Sequence, residues 1–179
     1  MEKVEQKYTN RSVTHPVTQD PGITDQHGRS FNYLSIAVNE KCNLRCIYCM
    51  PEKGISFEPQ DKLLTRKEVI RVIQVVAKLG VNKIRFTGGE PLLRKDLVEL
   101  VSGAAETPGI DSLNLTTNGV LLANAVESLK DAGLTGVNVS IDTLEEEKYA
   151  EITRRDYIDQ ACKGLEAAKK VGIPSYELT

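Results

Sequence analysis

The feature that most constrains this fold is a repeated exit from an amphipathic stretch into a short strand-like segment. The exit places a glycine and then an apolar residue in the same order at Gly80-Val81, Gly109-Ile110, Gly133-Leu134 and Gly172-Ile173. Glycine supplies the left-handed conformation that ends many helices. Strands that alternate with amphipathic helices favour right-handed βαβ units and a parallel sheet. A doubly wound sheet and a βα barrel share this pattern, so periodicity alone leaves both open.

The predicted elements follow this rhythm from about residue 31 onward. We predict strands at residues 33–38, 83–87, 112–116 and 136–141, with a fifth beginning near Pro174. The clearest helix begins at Thr65, because Thr65 and Glu68 stand at the spacing of a capping box. Apolar residues recur at helical spacing at Val69, Ile73 and Val76; at Leu97, Leu100, Val101 and Ala104; at Leu122, Val126 and Leu129; and at Ile158, Ala161, Leu165 and Ala168. Each of these stretches is predicted to pack one helical face on the sheet.

The chain divides into a leader and one domain. Residues 1–24 are polar, contain two prolines and show no period, so we expect a mobile leader. Residues 25–179 form the predicted domain, in which the alternation stops inside a strand. We therefore expect an incomplete core whose C-terminal part is absent, although a terminal strand could also close a small domain.

Composition excludes several classes of protein. The 179 residues carry a formal net charge of −2, which predicts no surface for nucleic acid or another polyanion. No apolar run approaches the roughly 20 residues that a membrane helix needs. The N-terminus has charge but no apolar stretch behind it, so we do not expect a secretory signal. We expect a cytoplasmic protein without membrane or nucleic-acid partners.

Three of the four cysteines, Cys42, Cys46 and Cys49, fall within eight residues directly after the first predicted strand. Such a group without an export signal indicates a metal site rather than a disulfide framework. A structural zinc site needs four ligands, and a ferredoxin-type cluster also normally uses four cysteines. Three ligands on a four-iron cluster would leave one iron open to another ligand. A zinc module and unligated thiols remain alternatives, and we expect Cys162 to be a packed thiol and both histidines to be exposed.

The C-x3-C-x2-C spacing, with Tyr48 before the last cysteine, resembles the signature of the radical S-adenosylmethionine superfamily. Gly88-Gly89-Glu90-Pro91 after the second predicted strand is similar to the Gly-Gly-Glu-Pro element of that family, although alone it would be a strand-end turn. The third and fourth predicted strands also end in segments that contain polar residues, at 116–119 and 139–142. The carboxyl ends of parallel strands meet at one edge, so these groups are predicted to share a pocket.

From about residue 24 onward the chain resembles the GTP 3′,8-cyclase family of molybdenum cofactor biosynthesis. The matching segments run from Asp25 to Leu34, through Cys42 to Pro51, from Leu79 to Arg94, and at 115–122 and 136–144. This resemblance implies a partial (βα)6 TIM-like barrel, here of about four to five βα units. It implies a lyase that uses a 4Fe–4S cluster and S-adenosylmethionine to make a 5′-deoxyadenosyl radical, which starts the conversion of GTP to its 3′,8-cyclo product.

The same resemblance implies a role for each matching residue. Cys42, Cys46 and Cys49 would hold the cluster; Tyr48, Gly89 and Ser140 would lie on S-adenosylmethionine, with Glu90 suited to its ammonium; Arg85 and Thr116 would contact GTP. It also implies an electron donor such as flavodoxin or ferredoxin, and a homodimer. A guanidinium at Arg85 suits phosphate chemically.

Some features depart from that family. Basic residues are expected where Ser35 and, by a looser alignment, Tyr176 stand, and a second three-cysteine cluster and a Gly-Gly tail are expected further on. The chain alone is therefore expected to lack much of the substrate site and to be inactive. A radical enzyme acting on another substrate such as a peptide, a non-catalytic electron-transfer module and an unstable fragment remain alternatives.

Overall fold

The computed structural model describes residues 22–58 and 62–178, the last three by their backbone alone. The strands are β1 (Ile23–Thr24), β2 (Ser30–Phe31), β3 (Tyr33–Asn39), β4 (Lys83–Gly88), β5 (Ser112–Thr117), β6 (Gly136–Ser140) and β7 (Ser175–Leu178). The helices are α1 (Arg66–Lys78), α2 (Leu97–Ala105), α3 (Val126–Asp131), α4 (Glu146–Thr153) and α5 (Ile158–Lys170). Short 3-10 turns lie at Pro91–Leu93 and Leu122–Asn124.

Strand order settles the question that periodicity left open. The main sheet has five parallel strands in the sequential order β3-β4-β5-β6-β7, while β1 and β2 form a separate antiparallel hairpin. A doubly wound sheet reverses its strand order at a switch point, and no reversal occurs among the described strands. The arrangement is therefore that of a partial βα barrel, which confirms the predicted fold class.

The helices cover one face of this sheet. On β4 and β5, Ile84, Phe86, Leu113 and Leu115 are buried in the hydrophobic core, and burying each such side chain contributes about 1.5–3 kcal/mol. The residues between them point to the other face because side chains alternate along a strand. That second face is polar and is the inner surface of the partial barrel.

The four glycine exits take the conformation that the sequence predicts. Gly80, Gly109, Gly133 and Gly172 have φ values of 91°, 92°, 104° and 74°. The next residue donates its N–H to the carbonyl five residues earlier in three of the exits, from Val81 to Val76, from Leu134 to Leu129 and from Ile173 to Ala168. This is the Schellman pattern, and each of the three donor residues is buried, so the exit also anchors the chain to the core.

The predicted helices form with one correction. The capping box of Thr65 and Glu68 is present at the start of α1, and the apolar stripes of α2 and α5 are buried. The stripe that begins at Leu122 is not one helix, because a 3-10 turn ends at Asn124 and α3 starts only at Val126. Asn124 stands at the break, and asparagine is a weak helix former.

Other predictions were incomplete or fall outside the described residues. Helix α4 and the β1–β2 hairpin were not predicted, since both are short and α4 buries little besides Tyr149 and Thr153. Most of the predicted leader, residues 1–21, lies outside the described residues, as does His15, while Ile23–Thr24 at its end form β1.

His27 is exposed and Cys162 packs partly buried against the core, as expected. None of the described helices combines the length and apolar character needed to cross a membrane.

Candidate metal centre

The three cysteines lie in the loop that follows β3, at the carboxyl edge of the sheet. Cys46 is buried, Cys42 is partly buried and Cys49 is exposed, and none of them forms a disulfide. Within the loop, the N–H groups of Cys49 and Met50 both donate to the carbonyl of Cys46, at 2.9 and 3.1 Å. Cys46 and Cys49 therefore stand at the two ends of one tight turn.

Helix α4 holds the far side of this loop. The N–H groups of Arg45 and Ile47 donate to the carbonyls of Thr153 and Ile152, both at 2.9 Å. The guanidinium of Arg154 donates to the carbonyls of Arg45 and Met50, at 3.0 and 3.1 Å. The cysteine loop is thus fastened to a helix end that lies more than 100 residues away in the sequence, across separations of 109 and 104.

Gly88 and Gly89 bring the end of β4 against the same loop. The N–H of Gly89 donates to the carbonyl of Asn39 at 2.7 Å, and that of Glu90 donates to Lys41 at 2.7 Å. A Cβ at Gly89 would overlap the carbonyl oxygens of Glu40 and Lys41. A side chain is therefore excluded here by the approach of the cysteine loop, whatever part the glycine has in binding a ligand.

Glu90 is completely buried, with 0% of its surface exposed. Its Oε1 accepts from the N–H of Leu92 at 3.0 Å and from the hydroxyl of Thr117 at 2.7 Å, and its Oε2 accepts from the N–H of Asn118 at 2.9 Å. Burial raises the pKa of this carboxyl, and the three donors oppose that rise. The side chain joins the ends of β4 and β5 and has no exposed surface toward a ligand.

Asn118 lies between this carboxylate and the first cysteine. Its side-chain amide nitrogen donates to Asn43 Oδ1 at 2.7 Å and lies 3.8 Å from Cys42 Sγ. Its Oδ1 accepts from the N–H of Val120 at 3.1 Å. The turn after β5 is therefore connected directly to the cysteine loop.

Tyr48 and Asp142 meet on the opposite side of the loop. The Tyr48 hydroxyl donates to Asp142 Oδ2 at 2.8 Å, although the residue as a whole is 65% exposed. Burial of the hydroxyl, followed by its bond to Asp142, raises the pKa of Tyr48. Ser140, at the end of β6, is exposed two residues before Asp142. The structure thus brings Tyr48 and the end of β6 to the same edge.

Arg85 and Thr116 lie on the polar inner face of the barrel. Arg85 pairs in register with Ser35 on one side and Asn114 on the other, and its guanidinium lies 5.3 Å from the ring centroid of Tyr33. Arg85 Nε and Thr116 Oγ1 are buried without a hydrogen-bond partner. Buried polar atoms are rarely left unsatisfied, so this face keeps hydrogen-bonding capacity that the described residues do not use.

The chemistry of the donors fits an iron–sulfur cluster. Three free thiols come from one loop, and soft thiolates are the ligands that such clusters use. Burial raises the pKa of the thiols of Cys42 and Cys46, so binding of iron would have to displace their protons. Among the described residues, no three histidine, cysteine or acidic side chains converge closely enough for a single ion. A cluster spreads its thiolates over different irons and does not require that convergence.

Three residues of the site, Asn118, Asp142 and Arg154, were not individually predicted to belong to it. Asn118 and Asp142 stood in polar strand-end segments, but the sequence did not indicate what they would contact. Arg154 carried no signal, because an arginine after a short helix resembles many solvated residues. Its φ of 54° and its bonds to the cysteine loop are visible only in three dimensions.

Comparison with known proteins gives one family. The model of the Radical SAM superfamily matches residues 36–179. The chain is 46% identical over 159 residues to molybdenum cofactor biosynthesis protein moc-5 of Caenorhabditis elegans, covering 89% of this chain and 26% of that protein. It is 44% identical over 151 residues to a GTP 3′,8-cyclase of Listeria monocytogenes, and this match covers 84% of this chain and 45% of that protein. The chain thus spans a quarter to a half of the length of these curated relatives.

A solved structure supports the fold independently. The crystal structure of Streptococcus suis SuiB bound to its precursor peptide SuiA matches with a TM-score of 0.68 at 22% identity, covering 82% of this chain and 32% of that one. At this level of identity the likeness extends to the fold alone.

Proposed function

Because the chain belongs to the radical SAM superfamily, we propose that it forms the cluster-binding and S-adenosylmethionine-binding part of an enzyme of the GTP 3′,8-cyclase type. The observation that carries this proposal is the set of three free thiols on one loop, held at the carboxyl edge of a barrel sheet beside Tyr48 and the end of β6. The identity of 44–46% to the relatives named above supports the choice of reaction type.

The cofactors of this family are a 4Fe–4S cluster and S-adenosylmethionine, which together supply one-electron cleavage of a sulfonium carbon–sulfur bond when bound. Cys42, Cys46 and Cys49 would hold the cluster and leave one iron without a protein ligand. The exposure of Cys49 leaves this side of the loop open to solvent and to a second ligand.

Tyr48, Gly89 and Ser140 are the residues that we assign to S-adenosylmethionine. Tyr48 presents an exposed ring whose hydroxyl is fixed by Asp142, which suits a flat base. Glu90 matches the family's acidic position, but its carboxylate is fully buried and already accepts three hydrogen bonds. We therefore propose that Glu90 supports this edge by holding Thr117 and Asn118, and not by reaching the ammonium of the cofactor.

Arg85 and Thr116 are the residues that we assign to the substrate. A guanidinium binds phosphate oxygens well, and each side chain offers a buried atom without a partner. GTP is the substrate that the names of the relatives suggest. The neighbour of Arg85 in register is Ser35, an uncharged residue, and this observation favours the second candidate, a radical enzyme with a less charged substrate such as a peptide.

Three further assignments rest on the family resemblance and on the character of the sequence. We propose an electron donor such as flavodoxin or ferredoxin, a homodimer and a cytoplasmic location, where reduced thiols persist.

The proposal is tested by anaerobic reconstitution with iron and sulfide, followed by electron paramagnetic resonance of the reduced cluster with and without S-adenosylmethionine. The expected result is a 4Fe–4S signal that changes when the cofactor binds the open iron. Cys46→Ala should lose the cluster, whereas Cys162→Ala, the matched control outside the loop, should keep it. A cluster that ignores the cofactor would identify an electron-transfer module, and absence of any cluster in the unaltered chain would refute the assignment.

A further inference from the structure

The hydrogen bonds of the Asn118 side chain fix the orientation of its amide group. The side chain is 9% exposed, and its Oδ1 accepts from the N–H of Val120 at 3.1 Å. An N–H donor needs an acceptor, so the oxygen must face Val120 and the NH₂ group must face the cysteine loop. That NH₂ group donates to Asn43 Oδ1 at 2.7 Å and reaches Cys42 Sγ at 3.8 Å.

The backbone of Asn118 is also held in place. Its N–H donates to Glu90 Oε2 at 2.9 Å, and the same carboxylate binds the Thr117 hydroxyl and the N–H of Leu92. A carboxylate with three donors in a buried site has little freedom to move. The hydrogen bonds therefore run from the core, through Glu90 and Asn118, to the sulfur of Cys42.

We propose that Asn118 is a positioning residue for the cluster, donating an N–H···S hydrogen bond to the Cys42 thiolate and raising the reduction potential of the cluster bound there. This inference rests on the proposed function, because it requires the thiols to hold a cluster. The reduced cluster carries one more negative charge, so a donor to its sulfur ligand stabilises the reduced state more than the oxidised state. Ligands are commonly oriented by such outer partners.

A second donor reaches the same sulfur. The backbone N–H of Leu44 lies 3.4 Å from Cys42 Sγ, and substitution of Asn118 would leave this bond in place. The loop should therefore still bind iron when Asn118 is changed. What changes is the potential of the cluster, which a purely structural role of the side chain would not alter.

The test is a redox titration of the reconstituted cluster, followed by electron paramagnetic resonance. Asn118→Ala removes the donor, and Asn118→Asp keeps an acceptor for Val120 while replacing the donor with negative charge. We expect the equilibrium constant for reduction to fall about tenfold in Asn118→Ala, equal to about 59 mV for one electron, and further in Asn118→Asp. Asn124→Ala is the matched control, because Asn124 is an exposed residue of the same β5–α3 connection.

A measurement on the cluster-free chain tests the contact itself. Iodoacetamide reacts with the thiolate, so labelling of Cys42 should be slower in Asn118→Asp, which replaces the donor to its sulfur by a negative charge, and unchanged at Cys49. An unaltered potential in both Asn118 variants, with a normal cluster in the parent chain, would overturn this proposal and leave the proposed function standing. Failure of the parent chain to form any cluster would overturn the proposed function, and this inference with it.

Discussion

The guanidinium of Arg154 closes the cysteine loop by donating to the carbonyl of Met50 at 3.1 Å, across 104 residues of sequence. It also donates to the carbonyl of Arg45 at 3.0 Å, on the other side of Cys46 and Cys49. One side chain therefore spans the segment that carries two of the three proposed cluster ligands.

Replacing Arg154 by glycine should loosen this loop without straining the backbone, because Arg154 has a φ of 54° that glycine adopts freely. Loss of two charged hydrogen bonds should lower the free energy of unfolding by about 1–3 kcal/mol and reduce the iron bound per chain. Urea unfolding and iron analysis measure the two effects. Arg155→Ala is the control, since the Arg155 guanidinium donates only to the neighbouring Arg154 carbonyl among the bonds of the described residues. Equal iron content in the two variants would contradict the prediction.

Glu90 predicts a pH dependence of stability. Burial raises the pKa of its carboxyl in the folded chain above the ordinary value of 4.5. Below pH 4.5 the group is protonated in both states, and with rising pH the unfolded chain loses this proton first. The contribution of Glu90 to the free energy of unfolding should therefore fall from pH 4.5 upward until the folded pKa is passed, and then stay constant.

The comparison of the parent chain with Glu90→Gln isolates this contribution, because glutamine has no proton to lose. The difference in unfolding free energy between the two should decrease over that window when measured by urea unfolding of the cluster-free, reduced chains. The exposed Glu99→Gln is the matched control on the surface of α2. If the difference in unfolding free energy instead rises with pH, the three hydrogen bonds lower the pKa of Glu90 more than burial raises it.

Tyr48→Phe should keep the cluster but weaken the response to S-adenosylmethionine. The change removes the 2.8 Å bond to Asp142 and leaves an exposed ring free to rotate. We expect about a three- to tenfold rise in the cofactor concentration needed for half of the spectral change, the range of a single hydrogen bond. Asp142→Asn retains an acceptor oxygen and should give a smaller effect in the same titration. Identical titrations for the parent chain and Tyr48→Phe would refute a role for this bond.

Ser35→Arg should strengthen binding of GTP if the inner face holds its triphosphate. Ser35 pairs in register with Arg85, so a second guanidinium would lie beside the first on the same face. We expect about a tenfold gain in affinity by calorimetry at low salt, and a loss of about the same size in Arg85→Gln. Ser112→Arg, at the first residue of β5 and in register with Lys83, controls for added charge alone. Equal gains from both arginines would indicate nonspecific attraction.

The local parts of this fold could be read from the sequence because they depend on residues close together in the chain. The capping box at Thr65, the buried stripes of α2 and α5 and the left-handed glycine at Gly80 each need only a turn or two of chain. The motif around Cys42 could be recognised for the same reason, since its three cysteines lie within eight residues.

Contacts between distant residues were decided only by the tertiary structure. The sequential strand order chose the barrel over the doubly wound sheet, and it placed Ser35 beside Arg85. The sequence indicated Glu90 only as an acidic residue of a strand-end turn, and the assembled strands bury its carboxylate and give it three donors, from Leu92, Thr117 and Asn118. A carboxylate's role depends on which donors surround it, and those donors reach Glu90 only once the strands are assembled side by side.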